Sequence, residues 1–402
     1  MIGRVRLRCG AFAAALSLVA CAQTAPAPEQ PAPPPTLTLS RVTFADLPGW
    51  GEDDPRDALR AFQRSCGRFA GLPPDEPVGG HAWAGPARIW AAACEDAATV
   101  GDDPERARAF LEARFTPWAV ADGTSAEGLI TGYYEPRLRG ARRPAPPFLT
   151  PILRRPDDLI EVELAAFAED LRGRRLAGRV EGGRLVPYHD RAEIESGALD
   201  GRGLELAWVD DPVDRFFLEI QGSGRVLLDD GQELRVGYAA QNGRPYRAIG
   251  RDLVAMGAIP RDQVSMQAIR RWLESNPERA REIMHRNPSF VFFTELSGLA
   301  PEDGPLGALG VPLTPGRSLA VDRRHLPLGA MLWLDTTLPG PAEPTPLRRM
   351  VVAQDVGGAI TGVVRGDLFI GTGDEAGEIA GRMRQTGRMW ILVPNPSAEP
   401  MV

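Results

Sequence analysis

The chain has 402 residues, of which 43% are hydrophobic and 25% charged; the length suits about two to three domains, and 44 Gly with 38 Pro, about a fifth of the chain, stay below the roughly 25–30% of a low-complexity polymer, which excludes disorder throughout. All 46 basic residues are Arg, which excludes a P-loop lysine, a Schiff-base lysine and a pyridoxal-phosphate site. A formal charge of −7 without a long basic run argues against a nucleic-acid partner, whose phosphates must be neutralised, and against a polyanionic substrate.

From the N-terminus, Arg4, Arg6 and Arg8 precede an apolar stretch from Gly10 to Ala20, about half the length that a bilayer-spanning helix needs. Residues 1–20 therefore read as a signal peptide. Its end, Leu18-Val19-Ala20-Cys21, resembles a bacterial lipobox, in which cleavage before the Cys is coupled to its acylation. Each buried methylene of such chains adds about 0.8 kcal/mol of membrane affinity. The alternative is an ordinary signal peptide followed by a chance Cys. Ala22 and Gln23 are not the Asp that commonly follows the Cys of inner-membrane lipoproteins, so the resemblance implies an anchor at Cys21 on the periplasmic face of an outer membrane. Residues 21–40 read as a tether, because Pro26, Pro28, Pro31, Pro33, Pro34 and Pro35 favour an extended polyproline form at about 3.1 Å per residue.

Beyond the tether, Asp54-Pro55 predicts a helix to about Phe69, Pro86 one to about Ala98, and Asp103-Pro104 one to about Phe115, each Pro sitting where a first helical turn tolerates it. Cys66 and Cys94 fall in these helices, as a disulfide in an oxidising compartment or as two buried thiols. From Gly128 to about Gly250 the pattern turns to short apolar runs broken by Gly and Asp-Gly: Leu129 to Tyr134, Phe216 to Gln221, Arg225 to Leu228 and Leu234 to Tyr238, all read as strands. Helical signals return at Arg261 to Ser275 and Pro277 to Arg286. Strands are expected again at Ser289 to Thr294, Ala330 to Asp335, Met350 to Gln354, Gly362 to Ile370 and Met389 to Pro394. Short strands with little helix between them suggest a barrel. His81, His189, His285 and His325 are scattered, with no metal-binding spacing, so neither a metal nor another cofactor is expected.

Three stretches carry residues suited to chemistry. Thr131-Gly132-Tyr133-Tyr134-Glu135-Pro136 puts two of only five tyrosines side by side at a strand end; alternation sends them to opposite faces, so one ring can be core while the other stacks on a sugar, unless both are packed. Gln221-Gly222-Ser223-Gly224 ends an apolar run with an amide, a hydroxyl and two glycines, which suits either a close ligand approach or a simple hairpin turn. Asp322, Asp355 and Asp367 each lie at a strand end among glycines, where a carboxylate either caps backbone amides or works as an acid or base.

The segments Thr131 to Pro136, Phe217 to Gly224, Asn287 to Phe293, Ala320 to Gly329 and Ala353 to Gly377 closely resemble the membrane-bound lytic murein transglycosylase A family, including its C-terminal three-aspartate domain. The resemblance implies a mainly β fold with N-terminal helices: a double-psi β-barrel, residues 41–136 and 260–397, a second β domain inserted at 137–259, and a groove between them. It implies cleavage of the β-1,4 bond between N-acetylmuramic acid and N-acetylglucosamine in peptidoglycan glycan strands, leaving a 1,6-anhydromuramoyl end. Asp367 would be the single catalytic acid and base, tuned by Asp355. Asp322 would support it and contact sugar, and Thr131, Gly132, Tyr133, Tyr134, Gln221 and Ser223 would line the groove. One departure is Thr361, where the family commonly has Lys; Arg365 is near enough in sequence to replace that cation. A barwin-like two-carboxylate glycoside hydrolase and a non-catalytic peptidoglycan-binding lipoprotein remain as alternatives, and a cell-wall synthase complex stays open as a partner.

Overall fold

The computed structural model describes residues 35–171, 174–340 and 343–396, and Gly3. The signal peptide, Cys21 and most of the tether lie outside the described residues. The tether ends earlier than expected, because Leu37–Arg41 is a strand, β1.

Helices α1 (Arg56–Ala70), α2 (Ala87–Ala97) and α3 (Pro104–Arg114) fall where the Pro signals place them. The Asp103 carboxylate accepts from the N–H groups of Glu105 and Arg106, both at 2.9 Å, holding two donors that the first turn leaves unpaired. A disulfide joins Cys66 of α1 to Cys94 of α2, with Cα atoms 5.7 Å apart. The chain then forms β2 (Phe115–Asp122) and β3 (Gly128–Glu135).

At Pro136 it leaves for a second region: β4 (Arg137–Ala141), β5 (Thr150–Leu153), β6 (Ile160–Glu163), β7 (Arg175–Glu181), β8 (Arg184–Pro187), the single turn α4 (Arg191–Glu193), β9 (Glu205–Val209), α5 (Pro212–Gln221), β10 (Ser223–Leu228), β11 (Glu233–Gln241), α6 (Gly250–Ala255), α7 (Met266–Ser275), α8 (Pro277–His285) and β12 (Val291–Glu295). Six of these strands form one sheet in the order β12-β11-β10-β4-β9-β5, and β6-β7-β8 form another. The expected return at residue 260 comes later, since β12 pairs antiparallel with β11, and α7 and α8 share an apolar core with α5 through Phe216, Leu273 and Ile283.

Phe216 to Gln221 is not a strand but the second half of α5. Asp211 caps the helix by accepting from the Val213 N–H at 2.7 Å, Pro212 opens it, and Gly222 closes it at φ +81°, a left-handed conformation that suits glycine. The apolar residues Val213, Phe216, Phe217 and Ile220 recur at helical spacing from this cap, and the Asp-Pro signal is the one that opens α3.

The last third supplies β13 (Ser318–Val321), β14 (Met331–Leu338), β15 (Thr345–Asp355), β16 (Arg365–Thr372), α9 (Asp374–Ala380) and β17 (Arg384–Pro394). With β3 these strands close a six-stranded barrel in the order β3-β16-β13-β15-β14-β17, sealed where Arg384 faces Thr131. The pairs β3–β16 and β13–β15 are parallel and the others antiparallel. The fold is thus mainly β with N-terminal helices, and the apolar faces of α1 to α3 close one side of the barrel. Phe62, Phe69, Trp90 and Phe110 pack there with Trp333, Met350 and Ile391, all essentially without solvent contact. Each such side chain contributes about 1.5–3 kcal/mol by leaving water.

Candidate active site

Strand β16 fixes the position of Asp367. Its Cα pairs with Ala320 of β13 on one side and Thr131 of β3 on the other, so the carboxyl lies inside a strand rather than at its end. Thr131 Oγ1 donates to Asp367 Oδ1 at 2.5 Å. Burial pushes the Asp367 carboxyl up from 3.8 to about 6, the Asp355 charge adds to that rise, and the Thr131 hydroxyl and the Arg365 guanidinium oppose it. A carboxylic acid that titrates there is protonated often enough near neutrality to donate.

Asp355 ends β15. Its Oδ2 accepts from the Tyr133 hydroxyl at 2.8 Å, and its Oδ1 from the N–H groups of Ala308 and Val356, both at 2.9 Å. Burial raises its pKa as well, against these three donors. The preceding residue, Gln354, is fully buried and holds the strand to α1, donating to Ala61 O at 2.7 Å while its Oε1 accepts from Ser318 Oγ at 2.5 Å. Asp355 is therefore fixed from behind as well as at its carboxylate.

Alternation along β3 divides the residues expected to line one groove. Thr131 and Tyr133 face Asp367 and Asp355. The Tyr133 ring packs on Phe369 at 5.4 Å, and burial together with the Asp355 charge holds its phenol protonated, so it is a donor. Gly132 and Tyr134 face the other way. A Cβ on Gly132 would sit 3.1 Å from Ala380 Cα and Met383 Sδ, and the Tyr134 ring lies against Ala376 and Ala380 of α9. Tyr133 and Tyr134 are 8% and 6% exposed, so neither ring is open as the sugar platform considered from sequence. Gln221, the last residue of α5, accepts from the Tyr134 N–H at 3.0 Å and so fixes that side of the strand. Ser223, the first residue of β10, is buried.

Asp322 is close in sequence to the β13 pairing but chemically apart. Burial alone would raise its carboxyl, yet the Arg324 guanidinium, bonding it at 2.6 and 2.9 Å, and the Gly362 N–H at 2.9 Å outweigh that and hold it at about 2. It ties two loops together. Among the described residues no cluster of three or more His, Cys, Asp or Glu side chains could hold a metal, and no helix is long and apolar enough to cross a membrane. A cavity of about 1140 Å³ lies away from these acids, between α5, α8 and the segment 194–201.

Sequence reasoning missed the backbone donors of Ala308 and Val356, which no side chain advertises, and the buried acid Glu135, whose only signal was its place before a proline in an apolar strand.

Comparison with known proteins explains this grouping. The family model of the MltA specific insert domain matches residues 129–294, and that of the 3D domain matches 317–393, the stretch holding Asp322, Asp355 and Asp367. Membrane-bound lytic murein transglycosylase A of Escherichia coli K12 is 37% identical over 274 residues, 67% of this chain and 66% of that protein, so the alignment spans just under two thirds of the curated relative. The crystal structure of a membrane-bound lytic murein transglycosylase from Agrobacterium tumefaciens superposes with a TM-score of 0.77 at 33% identity, covering 89% of this chain and 98% of that one. E. coli MltA with bound chitohexaose superposes at 0.65 with 29% identity, over 89% and 95%. With a closed barrel, an inserted second sheet and the acid-bearing strands all matched across nearly the whole of a solved relative, the chain belongs to the membrane-bound lytic murein transglycosylase A family.

Proposed function

We propose that the chain cleaves the β-1,4 bond between N-acetylmuramic acid and N-acetylglucosamine of peptidoglycan without water, leaving a 1,6-anhydromuramoyl end, with Asp367 as the only acid and base. The observation that carries this is the unequal state of two neighbouring acids. Asp355 has three hydrogen-bond donors on it, whereas Asp367 has the Thr131 hydroxyl and a pKa raised to about 6.

A hydrolase needs a second carboxylate to activate water or attack the sugar. Asp355, committed to Tyr133, Ala308 and Val356, is poorly suited to that work. A transglycosylase needs only one: Asp367 Oδ–H protonates the glycosidic oxygen as the C1–O4 bond breaks, and the resulting carboxylate takes the proton of the muramic C6 hydroxyl as its oxygen closes on C1. Intramolecular attack makes an activated water unnecessary. Burial, with the Asp355 charge adding to it, keeps Asp367 protonated, Thr131 orients it, and Asp322 shapes the adjoining loops.

In this reading the barrel spans 41–136 and about 296–396, the second domain lies between, and the glycan strand runs in a groove at their junction; that E. coli MltA has been solved with bound chitohexaose supports a glycan as the ligand. Cys21 anchors the chain to the periplasmic face of the outer membrane, where a cell-wall synthase complex is a natural partner. Mass spectrometry of the products from purified sacculi tests the chemistry. Muropeptides lighter by one water than their hydrolytic counterparts are expected, and reducing ends would support the hydrolase.

A further inference from the structure

Glu135 is fully buried, yet neither the reaction above nor the residues expected from sequence use it. It ends β3, four residues after Thr131. Its Oε2 accepts from Arg225 Nε at 2.7 Å and from Thr372 Oγ1 at 2.8 Å, its Oε1 accepts from Arg235 Nη2 at 3.3 Å, and its backbone carbonyl accepts from the Gly373 N–H at 2.9 Å. Arg225 belongs to β10 and Arg235 to β11, whereas Thr372 ends the strand that carries Asp367. Both guanidinia also grip the segment that returns from the second sheet to the barrel. Arg225 donates to Pro301 O and Asp303 O at 2.9 and 2.8 Å, and Arg235 to Ala300 O and Asp303 O at 3.1 and 2.8 Å. Glu233 touches Arg225 at 3.3 Å, and Asp303 is tied to Arg64 of α1 at 3.0 Å.

The pairing of β3 with β16 is not uniform between Asp367 and Thr372. Asp367 faces Thr131 and Phe369 faces Tyr133, but the register then slips, so that Gly371 faces Tyr134 and Thr372 faces Glu135. Gly371 takes φ +149° at this bulge. A bulge leaves one residue unpaired and disrupts the ladder locally, so contacts on either side of it help to hold the register. On the Asp367 side the fixed point is the short Thr131 bond. On the other side it is Glu135, held in turn by two arginines of the second sheet.

We infer that Glu135 is a positioning residue, which clamps Thr372 beyond the bulge and thereby keeps Thr131 in register with Asp367, making the second sheet part of the scaffold of the catalytic acid. This rests on Asp367 being that acid. Besides burial, three groups set the state of Asp367: Thr131 from β3, Arg365 from its own strand and Asp355 from β15, while the protonated Tyr133 phenol beside it is held by Asp355. The clamp acts through the first of these.

The test is the pH profile of kcat/KM on purified glycan strands for the wild type, Thr372→Val, Thr131→Val, the double variant and Thr372→Ser. Thr131→Val removes a hydrogen bond to the ionised carboxyl, so the limb on which activity falls with rising pH should move up by roughly half a unit. Thr372→Val should move it in the same direction without contact with Asp367. The double variant should match Thr131→Val alone, and Thr372→Ser should restore the wild-type profile. Glu135→Gln, which keeps the shape and loses the charge, should behave like Thr372→Val. A wild-type profile in Thr372→Val, or a shift that adds fully to that of Thr131→Val, would overturn the clamp. Asp367→Asn separates the two failures: if it still turns over, the assignment of the acid is wrong, whereas its inactivity beside an unshifted Thr372→Val condemns only the clamp.

Discussion

Glu195 in the second region and Asp367 in the barrel are both carboxylates packed in protein, and their proton affinities move in opposite directions. Burial pushes both up. At Glu195 the Arg215 guanidinium, His285 and the Arg191 charge outweigh it and hold the carboxyl below its usual range. At Asp367 one hydroxyl and one arginine, itself engaged with the carbonyls of Leu129 and Gly366, are too little to offset burial and the like charge of Asp355. The Asp322 carboxyl, beside Arg324, sides with Glu195. Withdrawal from water therefore does not by itself raise a carboxyl's proton affinity; withdrawal without a committed cation does.

The comparison breaks most visibly at Asp367 itself. Asp367→Asn should lower turnover by at least a thousandfold, on the order of 4 kcal/mol of transition-state stabilisation, with glycan binding nearly intact. Its stability should move the other way. A carboxyl whose folded pKa lies above its unfolded value favours folding most at low pH and loses that advantage as pH rises through about 6, so the neutral amide should raise the thermal midpoint at pH 7 by an amount equivalent to up to a few kcal/mol. Retention of more than about a tenth of the wild-type rate, a loss of only about 1.4 kcal/mol, contradicts the assignment.

The opposite result is expected in the second region. Arg191 is 1% exposed, bonds Glu219 at 2.8 Å and Ser289 O at 2.6 Å, and lies over the Phe216 ring at 4.7 Å. Arg191→Met should cost about 3–5 kcal/mol of stability in denaturant titrations, because it leaves acids buried with less compensation. The pH profile of whatever folded enzyme remains should be that of the wild type. A shifted profile would mean that the two charge clusters communicate.

A smaller effect sharpens the barrel side. Asp355→Asn removes the like charge that helps keep Asp367 protonated, so the limb where activity declines with rising pH should move to lower pH, by less than burial alone accounts for. An unchanged limb would assign the whole rise to burial.

Much of this was legible in the chain because local signals agreed with the final structure: proline-opened helices at 56–70 and 104–114, apolar runs that became the barrel, and aspartates set among glycines. Phe216 to Gln221 misread as a strand because a short apolar run looks alike in either state, and the deciding signals, Asp211-Pro212 and Gly222, sit outside it. The two tyrosines could be sent to opposite faces by alternation alone, but not seen to be both buried, since that depends on Phe369 and α9, which lie far along the chain. The split of the expected groove residues, the donors on Asp355 and the clamp at Glu135 are long-range contacts with no pattern in any single segment.

Direct titration of the Asp367 carboxyl by its carbon chemical shift, in the otherwise unaltered enzyme with Asp367→Asn used to assign the signal, tests the central claim. A midpoint near 6, against 3.8 for an ordinary Asp, is expected. A midpoint at or below 4 would leave Asp367 ionised at neutral pH, unable to protonate a leaving oxygen, and would contradict the account.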